Sequence, residues 1–168
     1  CHNPTGVDPS ESQWTTIIDL VRSRGLVPFI DIAYQGFGDG LEPDGAVVRR
    51  FAATPGPMFI ASSFSKSFAL YGERVGALTI VGSGKDEAGR ALSQLKRIIR
   101  TNYSNPPMHG GQLVATVLGN VELRALWETE LGTMRERIHT VRKLLVERMK
   151  ELAPQADFGF VQRQHGMF

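Results

Sequence analysis

The sequence predicts an α/β fold: a mostly parallel sheet flanked by helices, followed by a long helix that leads into part of a smaller α/β domain. Short apolar segments alternate with helical patterns in the first half of the chain, whereas helical periodicity dominates the second half. The composition, 42% hydrophobic and 21% charged over 168 residues, is that of a globular protein with a sizeable core.

The first predicted elements are a helix and a buried strand. Ser10 and Gln13 have the spacing of a capping box, and apolar residues then recur on one helical face until Gly25. Residues 27–32 form a short apolar run that contains one acid, which is typical of a buried strand whose carboxyl end presents Asp31.

The middle of the chain continues this alternation. A glycine-rich loop is predicted from Tyr34 to Gly45, followed by a short helix near Val47 to Ala53 and a strand near Met58 to Ser62. A polar loop around Lys66 then leads to a strand over Val75 to Val81. Strands and helices that alternate in this way favour a layered α/β domain.

From Asp86 onward the pattern is helical. Helices are predicted over Asp86 to Tyr103 and Gly111 to Leu118, and an amphipathic stretch runs from Val121 to Leu152. An unbroken helix over this last stretch would be about 45 Å long, a length that usually bridges two bodies. The residues predicted to keep one helical face throughout this stretch are Leu126, Met134, Ile138, Val141, Leu145 and Met149.

The long helix suggests where the chain divides. We predict that residues 1–120 are part of a large domain and that residues 121–168 are an interdomain helix with the start of a smaller domain. The segment Phe158 to Gln162 is expected to begin a strand of that second domain. We also expect the chain to begin in the middle of a fold, because its first residues resemble the end of a strand that enters a turn.

Composition and charge exclude several classes of function. The net charge of +2 comes from 19 basic and 17 acidic residues that are interleaved, which disfavours a nucleic-acid surface. The longest apolar runs are much shorter than the roughly 20 residues that span a bilayer. One cysteine leaves no internal disulfide, so the cytoplasm is the expected location. The four histidines do not lie at metal-ligand spacing, so no metal site is expected.

Four polar patterns follow one another along the chain, and three of them lie at predicted carboxyl ends of strands, where open α/β sheets bind ligands. They are His2-Asn3-Pro4-Thr5-Gly6, Asp31-Ile32-Ala33-Tyr34-Gln35-Gly36, Ser63-Phe64-Ser65-Lys66 and Tyr71-Gly72-Glu73-Arg74-Val75-Gly76. One pocket could collect them all.

The residue types in these patterns match what pyridoxal phosphate requires. Its aldehyde needs a lysine, for which Lys66 is the candidate, and its pyridine nitrogen needs a carboxylate, for which Asp31 is the candidate. Its phenolic oxygen needs hydrogen-bond donors, and Tyr34 and Asn3 are available. Its phosphate needs hydroxyl and guanidinium donors, which are supplied by Ser63, Ser65 and Arg74.

Together the four patterns closely resemble those of fold-type I aminotransferases of the aspartate and aromatic amino-acid family, over essentially the whole chain. The resemblance implies part of the large cofactor-binding domain, with Lys66 as catalytic residue and covalent anchor of the cofactor. It implies that Asn3, Asp31, Tyr34, Ser63, Ser65 and Arg74 bind the cofactor, and that Asn3 also contacts the substrate. The implied activity moves an amino group between an aromatic or dicarboxylic L-amino acid and a 2-oxo acid.

The resemblance also implies a homodimer. The segment Arg100-Thr101-Asn102-Tyr103-Ser104-Asn105-Pro106-Pro107 is similar to the family segment whose arginine reaches the neighbouring subunit's site. Arg100 would there bind the side-chain carboxylate of a dicarboxylic substrate. Other family members carry further phosphate and ring contacts upstream of the position of Asn3, and an arginine for the substrate α-carboxylate downstream of that of Phe168. The chain is therefore expected to be a fragment with an incomplete site.

Each residue also has an ordinary structural explanation. Asn3 could serve only a turn, Asp31 a helix cap, and Lys66 and Arg100 solvated surface. Two alternative functions stay open: another fold-type I pyridoxal-phosphate enzyme, such as a lyase or decarboxylase, and a catalytically incomplete piece that only binds or oligomerises. The joint occurrence of four patterns in order favours the aminotransferase.

Overall fold

A computed structural model describes residues 1–166 of the chain. Within them lie three strands, β1 (Phe29–Ile32), β2 (Met58–Ser63) and β3 (Gly76–Val81), and a short 3-10 turn at Tyr71–Glu73. The α-helices of this part of the chain are α1 (Glu11–Ser23), α2 (Leu41–Asp44), α3 (Ala46–Ala52), α4 (Lys85–Asn102), α5 (Met108–Gly119), α6 (Val121–Leu152) and α7 (Phe160–Arg163). The predicted α/β class is confirmed.

The three strands form one sheet in the order β1-β2-β3. β1 and β2 are parallel, with Asp31 beside Ala61, whereas β2 and β3 are antiparallel, with Ser63 beside Gly76. Parallel neighbours need a crossover that returns the chain to the starting end of the sheet. The helices α2 and α3 provide that crossover before β2, but the segment 64–75 turns directly back, so β3 runs in the opposite direction.

One face of the sheet is buried under α1 and α3. The buried side chains there are Ile18, Phe51, Met58 and Ile60, which we call the sheet core. Because side chains alternate between the faces of a strand, Asp31, Ala61 and Ser63 lie on the opposite face. The sheet therefore separates an apolar face, covered by helices, from a face that carries candidate site residues.

Local signals set the ends of two helices. Ser10 Oγ accepts a hydrogen bond from Gln13 N (3.3 Å), and Gln13 Oε1 accepts one from Ser10 N (2.8 Å), so the predicted capping box is confirmed. Asn120 Oδ1 accepts bonds from the backbone N–H groups of Glu122 and Leu123 (3.0 Å each) at the start of α6. The long helix thus begins and ends where the sequence predicted it.

The apolar face predicted for α6 is only partly the buried one: Ile138 packs against a buried cluster and Met149 is half-buried. Leu126, Met134, Val141 and Leu145 are exposed, and the residues buried in this helix are Leu131, Arg142 and Val146. A helix of 32 residues carries more than one stripe of apolar side chains at helical spacing. Which stripe is buried is decided by what the helix packs against, and here that is the loop that contains Tyr34 and Phe37.

The predicted strand at Phe158 to Gln162 is also wrong, because α7 occupies Phe160–Arg163. Asp157 Oδ1 accepts a hydrogen bond from Gly159 N (2.8 Å), and Val161 N donates to Phe158 O (3.1 Å). These local bonds turn the backbone into a helical conformation in place of an extended one.

Two other expectations bear on the overall organisation. Within residues 1–166, no helix is long and apolar enough to cross a bilayer. The division into residues 1–120 and 121–168 stays a prediction.

Candidate active site

Lys66 lies at the centre of a small cluster of polar and aromatic side chains. Its Nζ is 5.4 Å from the centre of the Tyr34 ring and 5.5 Å from that of Tyr71, both within the range of a cation–π contact. The Tyr34 hydroxyl oxygen accepts a hydrogen bond from Asn3 Nδ2 (3.2 Å). Each of the four sequence patterns therefore contributes one residue to the surroundings of this amine. These residues are Asn3, Tyr34, Lys66 itself and Tyr71.

The loop that carries Lys66 connects β2 to β3 and is closed at its base by a bond from Phe64 N to Val75 O (3.1 Å). Ala69 and Arg74, at φ +53° and +51°, have left-handed backbone conformations. Such conformations are strained in residues other than glycine and cluster at functional sites, where surrounding structure maintains them. The loop conformation is thus one that the rest of the fold has to hold in place.

The candidate phosphate ligands lie at the two ends of this loop. Ser63 ends β2, and its Oγ accepts a hydrogen bond from Ser65 N (3.2 Å), while Ser65 itself is buried. Arg74 is exposed, and its Nη1 donates to Tyr71 O (3.1 Å). Hydroxyl, ammonium and guanidinium groups together provide donors and positive charge for an anionic group.

Asp31 is exposed on β1 and lies beside Ala61 of β2. Ser63 is two residues further along β2, so Asp31 and Ser63 are offset by roughly 7 Å along the strand direction. With Tyr34 it lines a cavity of about 420 Å³. Lys66 is not part of the wall of that cavity, so Tyr34 is the residue that the cavity and the lysine cluster share.

The turn that carries Asn3 is supported from the far end of the chain. Gly6 N donates to His2 O (2.7 Å), which closes the turn, and His165 N donates to Gly6 O (2.7 Å). Gly6 has φ +64°, and a Cβ at this position would lie 2.7 Å from Gln164 Cβ. Glycine is therefore required both by the backbone conformation and by the close approach of the segment 164–166.

Arg142 of α6 holds that segment. Its side chain is buried, Nη2 donates to Gly166 O (3.0 Å), and Nη1 donates to Gln164 O. Burial lowers the pKa of the Arg142 guanidinium, which nevertheless stays charged because arginine titrates far above physiological pH. The helix is in this way connected to the Asn3 turn through residues 164–166.

The loop that carries Tyr34 is fastened by a carboxylate and by α6. The Asp44 carboxylate accepts hydrogen bonds from the N–H groups of Gly36 (2.7 Å), Gly38 (3.0 Å) and Asp39 (2.9 Å). Arg135 Nη1 donates to Gly36 O (3.1 Å). These bonds use up backbone groups that would otherwise leave a glycine-rich loop mobile.

Arg100 is not joined to this cluster by a hydrogen bond or ion pair within residues 1–166. It lies exposed in the last turn of α4, and its Nη1 donates to Ser104 Oγ (2.5 Å). Its role as a substrate ligand stays a prediction.

Several residues that shape the site were not predicted from the sequence. Tyr71 belongs to one of the patterns but had no role assigned, and it contacts Lys66. Trp127 and Arg142 lie on the buried stripe of α6, at a spacing continued by Leu131, Arg135, Ile138 and Val146. That spacing was visible in the sequence, but so was the competing stripe.

The comparisons with known proteins agree with the resemblance seen in the sequence. The family model described as aminotransferase class I and II matches residues 1–168. The chain is 58% identical to aspartate aminotransferase from Pseudomonas aeruginosa and 46% identical to aromatic-amino-acid aminotransferase from Escherichia coli, in both cases over 100% of this chain and 42% of the relative.

A solved structure gives the same picture. The crystal structure of aromatic-amino-acid aminotransferase from Burkholderia pseudomallei, covalently bound to pyridoxal phosphate, superposes with a TM-score of 0.97 at 60% identity. It covers 99% of this chain, and the match spans 42% of that structure. The chain therefore corresponds to less than half the length of the relatives it matches.

Proposed function

The chain belongs to the family of class I and II aminotransferases, and we propose that it supplies the Lys66 site of an enzyme that moves an amino group between an aromatic or dicarboxylic L-amino acid and a 2-oxo acid, with pyridoxal phosphate as cofactor. The observation that carries this proposal is the position of the Lys66 amine, which lies within 5.5 Å of two tyrosine ring centres, one of them on the tyrosine that bonds Asn3.

The chemistry of the side chains fits the cofactor. Lys66, Arg74 and the hydroxyls of Ser63 and Ser65 offer positive charge and donors at the end of β2, as a phosphate dianion requires. Asp31 supplies a carboxylate on the same face of the sheet as Ser63. Pyridoxal phosphate carries a phosphate on one side of its ring and a basic nitrogen in the ring. The donors at the end of β2 match the phosphate, and the Asp31 carboxylate matches the nitrogen.

When bound, pyridoxal phosphate supplies an aldehyde that takes up an amino group and a ring that withdraws electrons from the attached carbon. Asp31 would keep a pyridine nitrogen protonated, and Tyr34 and Asn3 would donate hydrogen bonds to a phenolic oxygen. The freed amine of Lys66 would carry a proton to and from the substrate Cα. Its two flanking rings restrict where that amine can move.

The direct test is chemical trapping on the full-length protein. Incubation with pyridoxal phosphate followed by borohydride should add a reduced pyridoxyl group to the peptide that contains Lys66, as found by mass spectrometry. Lys66→Ala should lose this product completely. The matched control Lys85→Ala, which removes an exposed lysine at the start of α4, should retain it. Trapping at another lysine, or none in the wild type, would contradict the assignment.

The substrate class is proposed from the names of relatives and from Arg100. Relatives of both the aspartate and the aromatic type match the whole chain. A panel of amino acids should show turnover of aspartate and tyrosine that depends on a second 2-oxo acid, whereas a lyase or decarboxylase needs none. In that panel, Arg100→Ala should reduce turnover of the dicarboxylic substrate far more than that of the aromatic one.

A homodimer and a cytoplasmic location complete the proposal. Arg100 bonds to Ser104 in its own chain, which is compatible with a role in a neighbouring subunit's site. Mixing Lys66→Ala with Arg100→Ala protein should restore dicarboxylate turnover if subunits exchange, because one site of each mixed dimer would then be intact. The cytoplasmic location stays a prediction.

A further inference from the structure

The buried stripe of α6 contacts the loops that surround the candidate site, one after another. Trp127 meets the Lys66 loop, Leu131 and Arg135 meet the Tyr34 loop, and Arg142 meets the segment that supports the Asn3 turn. Successive contacts lie about one helical turn apart from Trp127 to Arg135, and Arg142 follows about two turns later. One helix thus contacts the Lys66 and Tyr34 loops directly and the Asn3 turn through residues 164–166, without contributing any of the predicted cofactor ligands.

The contact nearest the reactive amine is that of Trp127. Its Nε1 donates a hydrogen bond of 2.7 Å to Ser67 O, which belongs to the residue directly after Lys66. Its indole stacks on the Phe68 ring, with ring centres 4.5 Å apart and planes inclined by 19°. Both contacts join residues about 60 positions apart in the sequence. They act on the two residues that follow Lys66.

The Lys66 loop also contains hydrogen bonds of its own. Phe68 N donates to Phe64 O (3.2 Å), and Ala69 N donates to Lys66 O (3.1 Å), which together form a single turn. That turn ends at Ala69, whose backbone is left-handed and strained. Ser67 belongs to this turn, so the bond from the indole to its carbonyl joins the turn to α6.

We propose that Trp127 is a positioning residue for Lys66: by holding the Ser67 carbonyl and the Phe68 ring, it keeps the amine of Lys66 next to Tyr34 and Tyr71. The inference deepens the proposed function, since it rests on Lys66 as the residue that holds the cofactor. A shift of about 1 Å in a reacting group can slow a reaction by up to about a hundredfold, so a contact one residue away is well placed to control the rate.

The test compares Trp127→Phe with Trp14→Phe in the full-length protein. Trp127→Phe keeps a stacked ring and removes the N–H donor, whereas Trp14 packs against the sheet core, away from the Lys66 loop. The first readout is amide hydrogen exchange of residues 66–69 without cofactor. Trp127→Phe should speed exchange at Phe68 and Ala69, and Trp14→Phe should leave both unchanged.

The second readout is the reaction with pyridoxal phosphate. In Trp127→Phe, visible absorbance of the lysine-bound cofactor should appear about tenfold to a hundredfold more slowly than in wild type. The pH midpoint of that absorbance should also shift, because the donor geometry around the lysine changes. A merely structural role would alter unfolding but not this midpoint. The control for this readout is Thr133→Val, which removes an exposed hydrogen-bond donor to Thr129 O on the same helix and should retain the wild-type rate and midpoint.

The outcomes separate the two proposals. Unchanged exchange, rate and midpoint in Trp127→Phe would overturn the positioning role. Faster exchange in that variant, combined with a wild type that takes up no cofactor on Lys66, would overturn the proposed function and leave Trp127 as the residue that orders the loop. If Trp127→Phe fails to fold, 3-benzothienylalanine at position 127 retains both fused rings without the N–H. A wild-type rate and exchange in that protein would likewise overturn the role.

Discussion

Two buried clusters of this molecule are built in different ways. The sheet core combines β2 with α1 and α3, elements that lie within about 50 residues of one another in the sequence. The second cluster, which we call the loop core, consists of Tyr34, Phe37 and Leu131 and joins a glycine-rich loop to a helix almost a hundred residues later. The sheet core keeps the layers together, whereas the loop core sets where the site residues lie.

Because the two clusters have different roles, the loss of one buried side chain should have different consequences for the site in each cluster. In the loop core, Leu131 is 1% exposed and packs against Tyr34, whose hydroxyl bonds Asn3. In the sheet core, Met58 is 0% exposed and lies on the face of the sheet opposite to Asp31 and Ser63. A cavity in either cluster should destabilise the fold, but only one of them should disturb the site.

The largest effect is therefore expected from a pair of substitutions. Met58→Ala and Leu131→Ala should each lower the free energy of unfolding by about 2–5 kcal/mol, because each removes a buried side chain and leaves a cavity. Under conditions where both variants are folded, Leu131→Ala should also weaken binding of pyridoxal phosphate, and Met58→Ala should not. Denaturant unfolding and cofactor titration measure the two effects.

Leu144→Ala, at an exposed position of the same helix, is the control and should change neither quantity appreciably. Equal weakening of cofactor binding by Met58→Ala and Leu131→Ala would remove the distinction between the clusters.

A smaller effect tests the closest approach within the loop core. Gly36 has φ +95°, and a Cβ there would lie 2.5 Å from Leu131 Cδ2. Gly36→Ala should lower the free energy of unfolding by about 1–3 kcal/mol through backbone strain and this clash. In the Leu131→Ala background the loss should be smaller, since the clashing atom is gone, and the double-mutant cycle gives the coupling.

Gly111→Ala gives the opposite sign. This glycine lies in α5 with open space around a Cβ, so alanine should stabilise the helix by about 0.5–1 kcal/mol.

If the effects of Gly36→Ala and Leu131→Ala on the free energy of unfolding are additive, the two residues do not act as one contact.

The smallest effect concerns the start of α4, which lies in neither cluster. Glu87 Oε2 accepts hydrogen bonds from Ser83 Oγ and Ser83 N (2.6 Å each), and these bonds lower the pKa of the Glu87 carboxyl. A lowered pKa in the folded state stabilises the fold above the ordinary pKa of glutamate, and this stabilisation disappears as the pH falls through the folded-state value.

Glu87→Gln should therefore be less stable than the wild type near neutral pH and equal to it in acid, by denaturant unfolding at both pH values. The exposed Glu147→Gln serves as the control. A difference that is the same at both pH values would show that the bonds to the charged carboxylate are not its source.

Most of the fold could be predicted from local patterns. The capping box of α1, the three strands and the limits of α6 are each marked by neighbouring residues, and the structure confirms them to within a few positions. The direction of β3 and the buried stripe of α6 could not be predicted in this way. Both depend on what an element meets in space, and more than one answer is compatible with the same periodicity.

The candidate site, too, could be predicted from the sequence only in part. The residue types around Lys66 were sufficient to propose the cofactor, because a lysine, a carboxylate and a set of donors are chemically specific in combination. Their support by Trp127, Leu131 and Arg142 could not be predicted, since these contacts join residues far apart in the chain.

The sequence by itself thus determined the class of the fold, the order of its elements and the chemical groups available for catalysis, because these follow from short-range periodicity and side-chain identity. Only the tertiary structure decided that Asn3, Tyr34 and Lys66 meet and that one stripe of α6 supports their loops. Long-range packing selects among arrangements that are locally equivalent, and that selection depends on the shape of the whole chain.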